Sequence, residues 1–448
     1  MFNPDAEAMP PILDWSAAAV MRAGDGRGGD RNGISRYAFG GAMILAALCA
    51  ASGCAPGARL AAEMAQNAPQ PAAHDAAQPI AMVGALTRDL HTVDDLLAAL
   101  GPRRAYVIGE AHDNYAHHLA QRDVIQALQA DGAPLAIGVE FIQRPFQSVL
   151  DDYVAQRIDE AEMLKRSDYF NRWGFDFRLY RPIFRYAREQ GLPLIALNAA
   201  TALSVAVRTQ DYEQLPEAQR ARLPAFKVAP SASYRQRLRD VFARHPQRVR
   251  GIDAARQAAR FAGFVRVQQL WDAVMAETAA NYLKRHPGHR IVVLAGQGHV
   301  SWPGAIVDRM RARLPAAAAG HSPVVGIELH QSPIAQSGHA DALLMPAPVT
   351  LPSAGRLGIY MAQTDLGVRI EALPVDSAAA AAGLRQGDIL HALNGQRIAA
   401  MADARIVLLD KRPGDVVRLA VRRAGQARTV HVTLAASDAL TAAPESAP

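Results

Sequence analysis

The sequence predicts an α/β fold, with a largely parallel sheet flanked by helices, followed by a small β-rich domain. Three observations carry this. Between Leu86 and Leu329 short apolar runs alternate with longer helical patterns, as βαβ units do. At about Ala347–Ser353 (APVTLPS) the pattern breaks and turns to short strands with Gly-rich turns. The 448 residues also exceed the size at which one core stops growing, and a hydrophobic fraction of 50% is ample for two.

In chain order this gives an N-terminal extension and signal segment (1–54), a tether (55–80), the α/β domain (81–346), the β-rich domain (354–436) and a disordered tail (437–448). Tyr37 to Gly53 is an uncharged apolar stretch that follows Arg31 and Arg36 and ends in small residues, the pattern of an export signal. It is short for a bilayer span of ~20 residues. Its end, Ala51-Ser52-Gly53-Cys54, resembles a lipobox, so Cys54 is the expected lipidation site and mature N-terminus. Ala55 follows, where Asp would resemble an inner-membrane retention signal, so the expected location is the outer membrane. The residues before the signal read as an extension, with Met21 a candidate start. The Ala-, Gln- and Pro-rich stretch after Cys54 reads as the tether.

Cys49 and Cys54 are the only cysteines, so the folded body can hold neither a disulfide framework nor a Cys-based zinc site. Any metal or iron centre there must use His, carboxylate, Tyr or Met. The formal charge is +6, but the basic residues, nearly all Arg, are spread among Ala and Pro. With no basic stripe interleaved with aromatics, nucleic acid is excluded as a partner.

Four strands are expected first: Ala105–Gly109, Leu135–Glu140, Pro193–Asn198 and Ile291–Gly296; Val324–Leu329 and Ala342–Met345 are later additions. After the first strand Asp113 is the expected cap of a helix whose Ala116, Leu119, Ala120, Val124, Ala127 and Leu128 share one face. That geometry leaves His118 on the solvent side and His117 at the edge of the apolar face. A second helix, from about Asp253 to Arg285, carries Phe261, Phe264, Val265, Gln268, Asp272, Met275, Ala279 and Tyr282 on one stripe. The charged segment from Asp211 to Arg250 reads as a helical insertion of no legible role.

In an open parallel sheet, ligands bind beyond the carboxyl ends of the strands. Those ends carry Glu110 and His112 (GEAHD), Glu140 (GVEF), Asn198 (ALNA), and Gln297 and His299 (GQGHV). Two His and two Glu at one sheet edge suit either a divalent metal with an open position or a bound cofactor. As a metal site, His112, His299 and Glu140 would be ligands and Glu110 would activate water for hydrolysis. Gln268, Asp272 and Met275, with Gln269 beside them, either face the same cavity or form an ordinary helix interface.

VIGEAHDNYAHHLAQRDVIQAL resembles the opening motif of the ChaN family of haem-binding lipoproteins, and further matches follow in order: IGVEFIQRPFQSVLDDY, Trp173 to Tyr180 leading into YRPIFRYA, IALNA, VQQLWDAVMAE and VVLAGQGHV. The resemblance spans about residues 86 to 346. It implies a Tiki-superfamily fold and haem binding connected with iron uptake, with haems held between the two subunits of a homodimer. It also implies kinship with erythromycin-esterase and Tiki peptidase groups, in which residues matching Glu110, His112, Glu140 and His299 line a hydrolytic centre. The chain departs from the family after GQGHV, where SWPGAIVDRM keeps Arg309 but loses a proline, and at ALLMP, where aromatics are usual.

A haem needs an apolar slot, an axial ligand and cations for its propionates. The ligand candidates are His112, His299 and Tyr180, with Arg309 or Arg178 near propionates; Asn198, Gln269 and Asp272 are further cofactor-facing candidates. The C-terminal domain resembles bacterial PDZ domains. Arg356-Leu357-Gly358-Ile359 matches their carboxylate-binding loop, Ser377 to Ile398 the helix, turn and strand after it, and PGDVVRLAVRRAG the closing hairpin. Leu357, Gly358 and Ile359 would thus hold the C-terminus of a protein or peptide. Three functions stay open: a membrane-anchored haem carrier, a metal-dependent hydrolase, and a scaffold that only gathers partners.

Overall fold

The computed structural model describes residues 80–81, 89–90, 92–226, 231–244, 253–300, 302–315, 322–330 and 340–436. The signal segment, Cys54, the tether up to residue 79 and the tail from 437 lie outside them. Among the described residues no helix is long and apolar enough to cross a membrane.

Six strands form the first sheet: β1 (Ala105–Glu110), β2 (Leu135–Gln143), β3 (Leu194–Asn198), β4 (Arg290–Gly296), β5 (Val324–Leu329) and β6 (Ala342–Leu344). Their order is β3-β2-β4-β1-β5-β6 and every pairing is parallel. The strands are buried along nearly their whole length, which is why they read as continuous apolar runs without alternation. One core lies on each face. The first gathers Ile108, Ile137, Val139, Phe141, Tyr180 and Phe184; the second sets Val107, Val293 and Leu197 against Met275, Ala279 and Leu283.

Helix α1 (Val93–Leu100) opens with a Thr92–Asp95 capping box, and α2 (Tyr115–Gln129) follows β1. The cap of α2 is Asn114, whose side chain accepts from the His117 N–H at 3.3 Å, and not Asp113. The chain uses one residue more than expected to clear the sheet edge. His118, expected in solvent, is fully buried. Helix α2 packs against a second helix, α3 (Arg181–Gln190), so the side remote from the sheet is covered too. His286 caps the end of the long helix α5 (Ala254–Arg285), its N–H donating to the Tyr282 carbonyl, and Asp253 starts the helix by accepting from Arg256 N–H. The charged insertion does form a helix, α4 (Ala232–Arg244).

The second domain is an antiparallel sheet in the order β12-β11-β9-β8-β7, with β10 paired to β9. Its strands are β7 (Tyr360–Thr364), β8 (Gly367–Ala372), β9 (Ile389–Leu393), β10 (Gln396–Arg397), β11 (Val416–Arg423) and β12 (Gln426–Thr433). Leu357, Val368, Ile370, Leu390, Val417 and Leu419 build its core. Strand β7 is an edge, beside helix α6 (Met401–Leu408). The outer side of α6 docks on the α/β domain: Asp403 pairs with Lys165 at 2.9 Å, and Arg405 donates to the Phe170 carbonyl at 2.9 Å. Ile406 and Leu409 pack on the first core.

Candidate functional site

The parallel register sets Glu110 opposite Gly296 and brings β2 up on the other side of β4, so three strand ends meet. Two carboxylate–imidazole systems form there. In the first, His112 Nδ1 lies 2.6 Å from Glu110 Oε1. Burial opposes protonation of His112, but the adjoining Glu110 carboxylate overrides it and raises the imidazole to about 9. Burial likewise works against the Glu110 charge, and the imidazoles of His112 and His118 outweigh it, so the carboxyl sits below its usual range. Glu110 Oε2 is buried and accepts no hydrogen bond.

In the second, His299 Nδ1 lies 2.6 Å from Asp272 Oδ1, and His299 Nε2 lies 3.4 Å from Glu140 Oε1. Tyr234 donates to the other Asp272 oxygen. Burial opposes the His299 charge, while Glu140 and Asp272 together raise its pKa. Glu140 Oε2 accepts the Gly296 N–H at 2.7 Å. Gly296 therefore joins the two systems, for the His112 ring packs on its bare Cα. A Cβ there would lie 2.7 Å from His112 Cε1. Gly298 is bare for a like reason, since a Cβ would lie 2.7 Å from the Arg237 Nη1.

The wall around His112 is aromatic. The Trp173 and Phe175 ring centroids both lie 4.9 Å from its own. Tyr180, a ligand candidate in the sequence, is buried; its hydroxyl accepts from Trp173 Nε1 at 3.0 Å and donates to the His112 carbonyl at 3.3 Å. Burial raises its pKa well above 10. It positions the His112 backbone and offers no phenolate. His118, its ring packed on that of Tyr180, does the same, with Nε2 3.2 Å from the His112 carbonyl. His117 Nδ1 accepts the Ala111 N–H at 3.0 Å, while its buried Nε2 has no hydrogen-bond partner.

Asn198 caps its own turn by accepting the Ala199 N–H, and Gln297 is exposed. Gln268 is buried and Gln269 half-buried on α5, whereas Met275 belongs to the second core. Of the expected cations, Arg309 is fully buried with Nε on the Gly304 carbonyl, and Arg178 is forked onto Asp176. The sequence reading missed Tyr234 and Arg237, which α4 brings from the insertion. Among the described residues no group of three or more His, Cys, Asp and Glu side chains is disposed to hold a metal ion. His112, His299 and Glu140 belong instead to the two separate systems. Each imidazole is fixed through Nδ1 by a carboxylate, an arrangement that orients Nε2 for ligation or proton transfer.

Two outcomes follow from this geometry. Gly296→Ala should cost about 1–3 kcal/mol in urea unfolding by displacing His112, while Gly288→Ala, with open space around it, should stay within ~0.5 kcal/mol. Burial holds the His117 imidazole down to about 4 from 6.5, so the neutral ring contributes stability above pH 6.5 that is lost as pH falls toward 4. His117→Asn, which keeps an acceptor near Nδ1, should flatten the fall in urea midpoint between pH 7 and 4.5; an unchanged slope would remove His117 as its source.

Comparison with known proteins agrees with this layout. Residues 96–310 match the family described as haem-binding uptake, Tiki superfamily, ChaN, and residues 355–434 match the PDZ domain family. A solved structure of cofacial haem binding to ChaN of Campylobacter jejuni is similar at 15% identity and a TM-score of 0.45, over 58% of this chain and 94% of that one. A serine endoprotease from Yersinia pestis is 25% identical at a TM-score of 0.17 over 19% of this chain, which spans only 29% of that protein. The HtrA3 PDZ domain bound to a phage-derived ligand is 17% identical at a TM-score of 0.17, over 19% of this chain and 88% of that one. No curated protein matches the chain. Residues 96–310 thus form a domain of the ChaN type, Tiki superfamily, and residues 355–434 a PDZ domain.

Proposed function

We propose that the α/β domain binds haem at the C-terminal edge of its sheet, with His112 as the iron ligand, in haem or iron acquisition. The observation that carries the reading is His112 itself. Its Nδ1 is taken by Glu110, its side chain keeps 19% exposure, and Trp173 and Phe175, packed on one another, offer an aromatic wall beside it. The donor chemistry fits a porphyrin iron, which takes one neutral imidazole nitrogen and an apolar surround. When bound, haem supplies a Lewis-acidic, redox-active iron. Glu110 engages Nδ1 and leaves Nε2 as the nitrogen for a ligand; with the imidazole raised to about 9, Nε2 carries a proton at neutral pH that ligation would release, and Tyr180 and His118 hold the His112 backbone in place.

For the PDZ domain the reading is capture of a protein C-terminus as an added strand on β7. Three features support it: the free edge of β7, the adjacent helix α6, and the Leu357-Gly358-Ile359 loop with Gly358 at φ +72°. The buried Leu357 side chain roots the loop in the core.

Titration of the purified protein with haemin should give a saturable, shifted Soret band. His112→Ala should abolish it, while His299→Ala and Tyr180→Phe should keep its shape. A wild type without a shift, or a His112→Ala variant that binds unchanged, defeats the assignment. For the PDZ domain, a pool of fluorescent peptides with apolar C-termini should bind with a free carboxylate and fail when amidated. Gly358→Val should weaken binding by roughly tenfold, since a β-branched residue resists positive φ. Equal binding of amidated peptides excludes carboxylate capture.

A further inference from the structure

We propose that Arg237 is the anchor for a ligand carboxylate at this site, a haem propionate on the reading above, on which this inference rests. Arg237 projects from α4 over the Gly298 turn, one residue from His299. Its Nη2 donates to the Gly298 carbonyl, and its guanidinium lies 5.5 Å from the Trp302 ring centroid and 5.8 Å from that of Tyr234. The Nε is buried and has no hydrogen-bond partner.

What the cation lacks is an anion. Among the described residues no carboxylate stands within ion-pair distance of Arg237. Asp272, the carboxylate of the adjoining system, has one oxygen on His299 and the other on Tyr234. Glu328, the other acidic group that influences Arg237, is held by His330 at 2.9 Å. A guanidinium does not shed its charge, and a partly desolvated cation without a partner is costly, so the position is suited to a planar anion that the fork can grip. Burial depresses its pKa, and the more distant Asp272 and Glu328 offset that only in part. The cations suggested by sequence offer no such opening. Arg178 is satisfied by Asp176 and by the Pro352 carbonyl, and Arg309 is sealed inside.

A structural role for Arg237, holding the Gly298 carbonyl, makes a different prediction from anion binding, and a cycle of two changes separates them. Haemin and its dimethyl ester, which lacks propionate charge, are titrated by Soret absorbance into the wild type, Arg237→Ala and Arg237→Lys. Wild type should prefer haemin over the ester by roughly tenfold or more, the worth of one charged hydrogen-bonded contact. Arg237→Ala should lose that preference while binding the ester as the wild type does, and Arg237→Lys should restore part of it. Equal losses for both porphyrins in Arg237→Ala overturn the assignment in favour of a positioning role. A wild type that binds both porphyrins equally overturns it without any variant. No Soret change in the wild type overturns the haem reading and this assignment with it.

Discussion

The placement of strand β4 between β2 and β1 is the constraint from which the site derives. Parallel pairing in that order sets Gly296 opposite Glu110 and within reach of Glu140, so carboxylates from two different strands converge on one turn. The turn can pass between them only because it has no side chain at Gly296. Its N–H serves Glu140, and its Cα is the surface on which His112 lies. Change the strand order, or add a methyl, and the two carboxylate–imidazole systems separate.

Burying ionisable groups at this sheet edge is stable only because each is answered. Glu110 and His112 answer one another, and so do Asp272 and His299, with Glu140 and Tyr234 closing the second system. Desolvation opposes charge at Glu110, His112 and His299, and the paired geometry overrides it. The groups left over are informative for the same reason. Glu110 Oε2, His117 Nε2 and Arg237 Nε are buried without hydrogen-bond partners, and all three belong to the shell of this site or its neighbouring helices.

The second domain is tied to the same neighbourhood through one helix. Helix α6 borders the exposed edge of β7 and, on its outer side, reaches Phe170 through Arg405. Phe170 lies three residues before Trp173, which packs on His112. The edge of β7 and the aromatic wall of the first site are thus linked through the Arg405–Phe170 hydrogen bond and a short stretch of chain.

Much of this was legible before folding. Apolar runs without alternation announced buried parallel strands, and the residues just after them, Glu110, His112, Glu140 and His299, do gather at one edge. The errors share a cause. His118 was placed in solvent because a single helix shows one apolar face, yet α3 covers the other. Tyr180, Arg178 and Arg309 have the right chemistry for ligand contact, but each is consumed by neighbours distant in sequence or sealed in the interior. Tyr234 and Arg237 sit in a charged segment with no local signal, so nothing marked them until α4 docked. The sequence by itself determined the fold class, the break between domains and the strand-end carboxylates and imidazoles, because hydropathy period and strand ends are local properties. Only the tertiary structure decided which of those groups are paired, which are spent on the backbone and that Arg237 lies with no carboxylate of the described residues at ion-pair distance, because pairing depends on distances between elements that the chain order does not encode.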